Sequence, residues 1–484
     1  MTKTKLTLLA TISALFTGPI SAKETLTAGL LIDRVNIVDV RTGSIAKNRA
    51  IIIADGRISR IAAARSITAG PAATRIDGRG AFIVPGYNDM HSHNLNAASP
   101  QTSLPLMLAN GVTGIRQMAP AANRQVPADS PAILAVPGTI LVGPAFATPA
   151  AAKAEVDRQK QVGVDFIKVV DIPEAAFLAA AEAAKADGLP ISGHLPPTVD
   201  VRDAIARGFD AIEHLGPGIS LLLACSTDET AIRATLRAVP PGVGGIDFNM
   251  EPAKLARLLA NPMMTTPPQG FAVIKRVLAT YDDKKCRAVA HDLAASKTWV
   301  VPTLTRLEAM NLGNDPSLRN NSDLRYVPAG SRALWLAVGD DFDTRLSAEQ
   351  RADLAALQAR QMKLVKVYDD AGVKMLAGTD FGGQWIVSGR SLHHEFDLLA
   401  SAGVSPLHIL QMTTINAARY LGREADMGAV EPGKLADLVF LTANPMKGAG
   451  NLHAIAGVVR GGRYLPKSEL DAISASVAAT LQKQ

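Results

Sequence analysis

Residues 85–93 read Pro85-Gly86-Tyr87-Asn88-Asp89-Met90-His91-Ser92-His93 and follow directly on the apolar run 82–84. A strand that ends in two histidines spaced by one residue turns both imidazoles to the same face, because side chains alternate with period two. Such a face can offer two nitrogens to one ion. Alternate histidines also occur on solvated edges, so the pair alone decides little. Four further segments raise its weight: Phe166-Ile167-Lys168-Val169-Val170, Ile191-Ser192-Gly193-His194, Ala211-Ile212-Glu213-His214 and Gly378-Thr379-Asp380. Each brings a metal-liking side chain to, or close to, the end of an apolar run. That is where a (β/α)8 barrel collects its functional groups.

The strands can be counted. Apolar candidates fall at 82–84 running into His91, then 112–118, 139–142, 165–170, 189–194, 210–214, 298–304 and 373–380. Eight is the number a closed parallel barrel of this type needs. The candidate ligands then sit on strands one, four, five, six and eight. Helical patterns at 149–162, 173–186 and 200–207 alternate with the strands, and a long one at 347–371 opens with Ser347 and Gln350, spaced for a capping box. Short β-runs occupy 29–40, 49–54, 57–62 and 74–77, with Asp55-Gly56 as a tight hairpin, and similar runs return at 435–441 and 456–459. The expected layout is an α/β chain: a (β/α)8 barrel over 84–427 and a small β-sandwich built from 23–83 and 428–467. A leader at 1–22 and a tail at 468–484 complete it. Two connections, 215–297 and 305–346, are long enough to form lids or substrate pockets, and the Pro/Gly-rich stretches 239–245 and 265–270 read as loops.

Composition narrows the function. The chain has 484 residues, 48% hydrophobic and 19% charged, which describes a globular protein. Its net charge of +6 is spread without a basic block, and aromatics make up only 4%, so a nucleic-acid-binding role is disfavoured. Lys3 and Lys5, the apolar residues 6–16 and Gly18-Pro19-Ile20-Ser21-Ala22 form a secretory-signal pattern with cleavage near Ala22. The apolar run is shorter than the roughly 20 residues a membrane span needs. Export to the periplasm or beyond is therefore expected, with no membrane span. In that compartment Cys225 and Cys286, the only cysteines, could form a disulfide or remain two buried thiols.

With these motifs in order, the chain resembles the amidohydrolase superfamily. The resemblance runs from residues 85–93 through Lys168, His194, His214 and Gly378-Thr379-Asp380 to Glu431-Pro432-Gly433-Lys434-Leu435-Ala436-Asp437, and covers about residues 26–465. It implies two divalent ions, zinc by default. His91, His93 and Asp380 would hold one ion, and His194 and His214 the other. Lys168 would bridge them as an N6-carboxylated lysine. The chemistry agrees, since an ammonium repels cations whereas a carbamate offers two anionic oxygens. Between two ions, hydroxide forms near neutral pH, and Asp380 could shuttle the proton from it to a leaving nitrogen. The branch it is most similar to holds imidazolonepropionase-like enzymes and Xaa-Pro and Xaa-Arg dipeptidases. That implies hydrolysis of an amide in a small molecule, such as a dipeptide or N-acyl amino acid, by a chain that associates with copies of itself. Lactone, cyclic-imide and organophosphate hydrolysis would use the same centre, and a non-catalytic binding protein could keep the fold.

Secondary candidates complete the reading. Glu213 should alternate away from His214 and make a packing or supporting contact. Tyr87, Asn94 and Thr303 lie near strand ends and could line the pocket. His393 and His394, in His393-His394-Glu395, could face substrate or simply start a helix. His291, His408 and His453 read as structural.

Overall fold

In the computed structural model, residues 24–122, 124–238 and 250–483 are described; the expected leader and the run 239–245 lie outside them. Tyr87–Ser92 is the first barrel strand and is buried along its whole length. It pairs in parallel with Val112–Gln117 on one side. On the other side the eighth segment closes the ring: Met90 N–H donates to Ala377 O (2.9 Å) and Asp380 N–H to His91 O (2.8 Å). Ile167–Asp171, Ile191–Gly193, Ala211–Glu213 and Trp299–Val301 follow one another in parallel order. A parallel bridge from Val300 to Met375 joins the seventh strand to the eighth segment.

The third strand departs from the expected 139–142. Ala132–Ala135 pairs with the second strand, whereas Leu141–Val142 pairs with the fourth. Pro137-Gly138 lies between the two pieces. Proline has no N–H for a ladder, and a Cβ on Gly138 would sit 2.2 Å from Gln159 Oε1. The strand therefore breaks in two, each piece serving one neighbour.

Residues 82–84 also differ from expectation. Phe82–Pro85 belongs to the end domain, where it pairs antiparallel with Leu438–Leu441 and parallel with Gly29–Val38. This strand joins the two chain ends into one eight-stranded sheet. Gly86 makes the step to the barrel, with its N–H on Asp437 O (2.8 Å); a Cβ there would lie 2.0 Å from Thr113 Oγ1. One face of the sheet buries Ile32, Ile51 and Phe440. The other buries Leu31 and Ile52 against Ile67 of the small two-stranded sheet Glu24–Leu26 with Ile67–Ala69.

The expected capping box forms at the start of Ala348–Ala371. Most of the expected tail, residues 468–482, lies in a helix, Lys467–Gln482, which packs on Pro100–Ala109. Leu470, Val477 and Leu481 recur at helical spacing and are buried, which is what anchors it. Among the described residues no helix is long and apolar enough to cross a membrane.

The described parts of the 215–297 connection form further helices, including Pro252–Ala260, Pro268–Ala279 and Asp283–Ala295. Cys225 and Cys286 are joined within it, 61 residues apart in sequence. Replacing both by alanine should lower the unfolding free energy by about 2–4 kcal/mol. Urea denaturation of the double variant measures this, and an unchanged midpoint would contradict it.

Candidate metal centre

The candidate ligands converge at the C-terminal end of the barrel. One donor atom each from His91, His93 and Asp380 lie within 4.8 Å of one another. The expected same-face placement of the histidine pair is seen in ring centroids 5.5 Å apart. Asp380 Oδ1 stands 3.2 Å from His91 Nε2 and 3.1 Å from His93 Nε2. His214 brings Nε2 to 3.9 Å from Asp380 Oδ2, and its ring lies 5.1 Å from that of His194. Lys168 is buried on the neighbouring strand, its Cα in register with Ser192.

The backbone is bent to make this possible. His214, Thr303 and Asp380 adopt φ of 54°, 47° and 56°. Non-glycine residues occupy this left-handed region at a cost, and such strain gathers at functional sites. Glu213 makes the supporting contact expected of it, on His91, but not by turning to the other face. Strict alternation would turn Glu213 away from the site, yet Glu213 and His214 both reach it.

Glu213 is fully buried and receives His91 Nδ1–H at 2.7 Å on Oε2 and Arg116 Nη2–H at 2.6 Å on Oε1. Burial alone would raise its pKa, but Arg116 and His91 outweigh it and hold the carboxyl at about 2. A permanent acceptor at Nδ1 leaves the His91 Nε2 lone pair turned toward Asp380, and that atom has no hydrogen-bond partner. Arg116 is in turn fixed by Met90 O (2.6 Å) and Tyr420 Oη (2.7 Å). His214 is held likewise, with Nδ1 2.7 Å from Thr303 Oγ1.

Burial and then the neighbouring Lys168 charge push His194 down to about 3, and burial pushes Lys168 down to about 8 against the pull of Glu213 and Asp380. Asp380, which burial alone would raise, is held well below the usual carboxylate range by His214 and His91. With His93 and His214 also pushed toward the neutral form by burial, these imidazoles, an ionised carboxylate and a lysine of lowered pKa form a donor set that fits divalent cations.

Arg306 adds a contact that the sequence did not signal. Its Nε lies 3.1 Å from Asp380 Oδ2. Its Nη1 and Nη2 donate to Ala260 O (2.7 Å) and Leu259 O (2.8 Å), at the end of the helix Pro252–Ala260. One guanidinium thus ties the excursion to Asp380. Arg116 carried a usable signal, being a lone charge inside an apolar strand.

Several candidates lie elsewhere. Tyr87 is core: its hydroxyl donates to Leu452 O (2.8 Å) and its ring packs edge-on against Phe396. Asn94 is buried and bonds Ser388. His393 donates to Asn110 O and His394 pairs with Glu308, both on the barrel's flank. They fall in the first turns of the helix Arg390–Ser401. Glu395 on the same helix caps the earlier helix Leu304–Asn311, accepting Thr305 N–H at 2.8 Å.

The Glu213 bridge yields a test. Glu213→Gln should weaken zinc binding by about 10–100-fold in equilibrium dialysis. Arg116→Met should cost about 3–5 kcal/mol of stability, since it strands a buried carboxylate. Wild-type affinity in the first variant would contradict the role given to Glu213.

Comparison with known proteins agrees with this architecture. Residues 294–465 match the model of the amidohydrolase family. A curated adenine deaminase from Moorella thermoacetica is 31% identical over 85 residues, 18% of this chain and only 14% of that protein's length. The solved bottromycin amidohydrolase superposes with a TM-score of 0.68 at 23% identity, covering 93% of this chain and 90% of its own. A putative prolidase from Bifidobacterium longum gives 0.59 at 21% identity, covering 93% and 99%. These two share the fold. The match of residues 294–465 to the family model lies within the part of the chain that shares this fold.

Proposed function

We propose that this chain is an exported, metal-dependent hydrolase that cleaves an amide or peptide-like C–N bond in a small substrate. A dipeptide or N-acyl amino acid is the leading substrate class. The observation that carries the reading is the meeting of His91, His93 and Asp380 donor atoms within 4.8 Å, with His91 Nε2 left without a hydrogen-bond partner. His194, His214 and Lys168 beside them provide for a second ion, and zinc suits this donor set. When bound, the two ions would supply an acidified water and polarise the scissile carbonyl.

The chain's own groups do the rest. Glu213 and Thr303 fix the His91 and His214 rings so that each Nε2 faces inward. Lys168, shielded from solvent, loses its proton readily enough to react with carbon dioxide, and its carbamate oxygens would replace a repelling ammonium with two anionic donors. Asp380 accepts a proton from the attacking water and returns it to the departing nitrogen. Arg306 holds Asp380 Oδ2 from the far side, so the carboxylate stays aligned. Bottromycin amidohydrolase and the prolidase, which share the fold, support the amide reading by their names.

Zinc-loaded protein should therefore hydrolyse members of a dipeptide and N-acyl amino acid panel. Asp380→Asn should lower kcat by at least about 100-fold, the scale of general acid–base catalysis, with the fold retained by circular dichroism. Exclusive turnover of lactones or phosphotriesters would overturn the amide assignment, and wild-type turnover in Asp380→Asn would remove the proton shuttle. With the Lys168 amine titrating at about 8, the neutral form grows as pH rises. Bicarbonate-dependent reactivation of stripped enzyme should accelerate up to that pH and level off above it. Reactivation indifferent to bicarbonate would argue against the carbamate.

A further inference from the structure

The helix Leu304–Asn311 begins without the cap its sequence offers. Thr303 stands at its N-cap position, where a threonine ordinarily takes extended backbone and accepts an N–H of the first turn on its hydroxyl. Thr148 does this at the start of Pro149–Val162: it has φ −108° and ψ 150°, and Ala151 N–H donates to its Oγ1. Thr303 has φ 47° and ψ 52° instead, and its side chain caps nothing. Its hydroxyl is committed elsewhere, 2.7 Å from His214 Nδ1.

The missing acceptor comes from a different element. Glu395, on the helix Arg390–Ser401 that follows the eighth barrel segment, is fully buried, and its Oε2 accepts Thr305 N–H at 2.8 Å across 90 positions of sequence. Thr305 is the second residue of its helix, so its N–H is one that an N-cap side chain ordinarily satisfies. Arg306 N–H, on the third residue, is met by Thr303 O at 2.9 Å. Without Glu395 the Thr305 N–H would be a buried donor lacking an acceptor, which folded chains avoid. The residue placed by sequence to answer it is Thr303, whose hydroxyl would then have to leave His214.

We propose that Glu395 is a positioning residue for His214: it caps the helix Leu304–Asn311 in place of Thr303 and so leaves the Thr303 hydroxyl to hold the His214 ring with Nε2 toward the candidate metal centre. The role rests on the hydrolase reading, which is what makes His214 a ligand. Capping and ligand presentation are thus divided between two side chains from different helices. Burial pushes the Glu395 carboxyl up to about 8, so an uncharged side chain of the same shape should serve as well.

Proton–nitrogen NMR of the metal-free full chain, isotope-labelled at histidine nitrogen, tests this through two ring N–H groups. His214 Nδ1–H, held by Thr303, and His91 Nδ1–H, held by Glu213, should both be visible in the wild-type chain. Glu395→Met should lose the His214 signal to solvent exchange and keep that of His91, while Glu395→Gln should keep both. If Glu395→Met does not fold, Glu395→Asp, one methylene too short to reach Thr305, should lose the His214 signal in its place. In equilibrium dialysis the variant that has lost the signal should bind its second zinc equivalent about 10–100-fold more weakly, with the first unchanged. Retention of the His214 signal, its absence from the wild type, or unchanged uptake of both equivalents would overturn the proposal. So would loss of both ring signals together, which a merely structural role would produce. Failure of the wild-type chain to take up zinc would instead overturn the hydrolase reading and leave the ring contact standing.

Discussion

A carboxylate with no exposure survives in the middle of this barrel because two cations or proton donors close on it from opposite sides. Glu213 lies between Arg116 and His91, and neither partner could be buried there without it. An isolated charge in such a place would cost several kcal/mol. The arrangement links strands two, six and one, and it also sets which nitrogen of His91 faces the site. Folding and ligand presentation are thus one constraint. Asp89 repeats the pattern at the barrel's seam, where it receives Thr379 Oγ1–H at 2.6 Å and binds the first strand to the eighth segment.

Much of this was legible in the sequence. His91, His93 and Asp380 fall together as the motif order implied, and His194, His214 and Lys168 lie beside them. The reason is topological: parallel strands of one barrel carry their C-terminal ends to one place, so ordered motifs become neighbours. What escaped was decided by backbone detail. The left-handed residue at His214 cancelled the period-two argument for Glu213. Pro137-Gly138 split the third strand, which no apolar count reveals. Tyr87, His393 and His394 were near strand eight or strand one in sequence, yet a strand residue facing outward and a helix displaced to the flank take them away from the centre.

Arg306 shows a further limit. Its partners, Leu259, Ala260 and Asp380, lie far from it along the chain, and only the folded excursion brings them to one guanidinium. Pocket walls made of long connections carry no readable code, but their attachment points can be seen once folded. Here the attachment reaches the very carboxylate assigned to proton transfer. One guanidinium therefore fixes the end of the helix Pro252–Ala260 and Asp380 in the same place.

The central claim is that these six side chains hold metal. Anomalous diffraction from zinc-loaded crystals tests it most directly. The account predicts one peak in contact with His91, His93 and Asp380 and a second in contact with His194 and His214, with Lys168 beside both. Zinc-replete protein with neither position filled, or with zinc only elsewhere on the molecule, would contradict it.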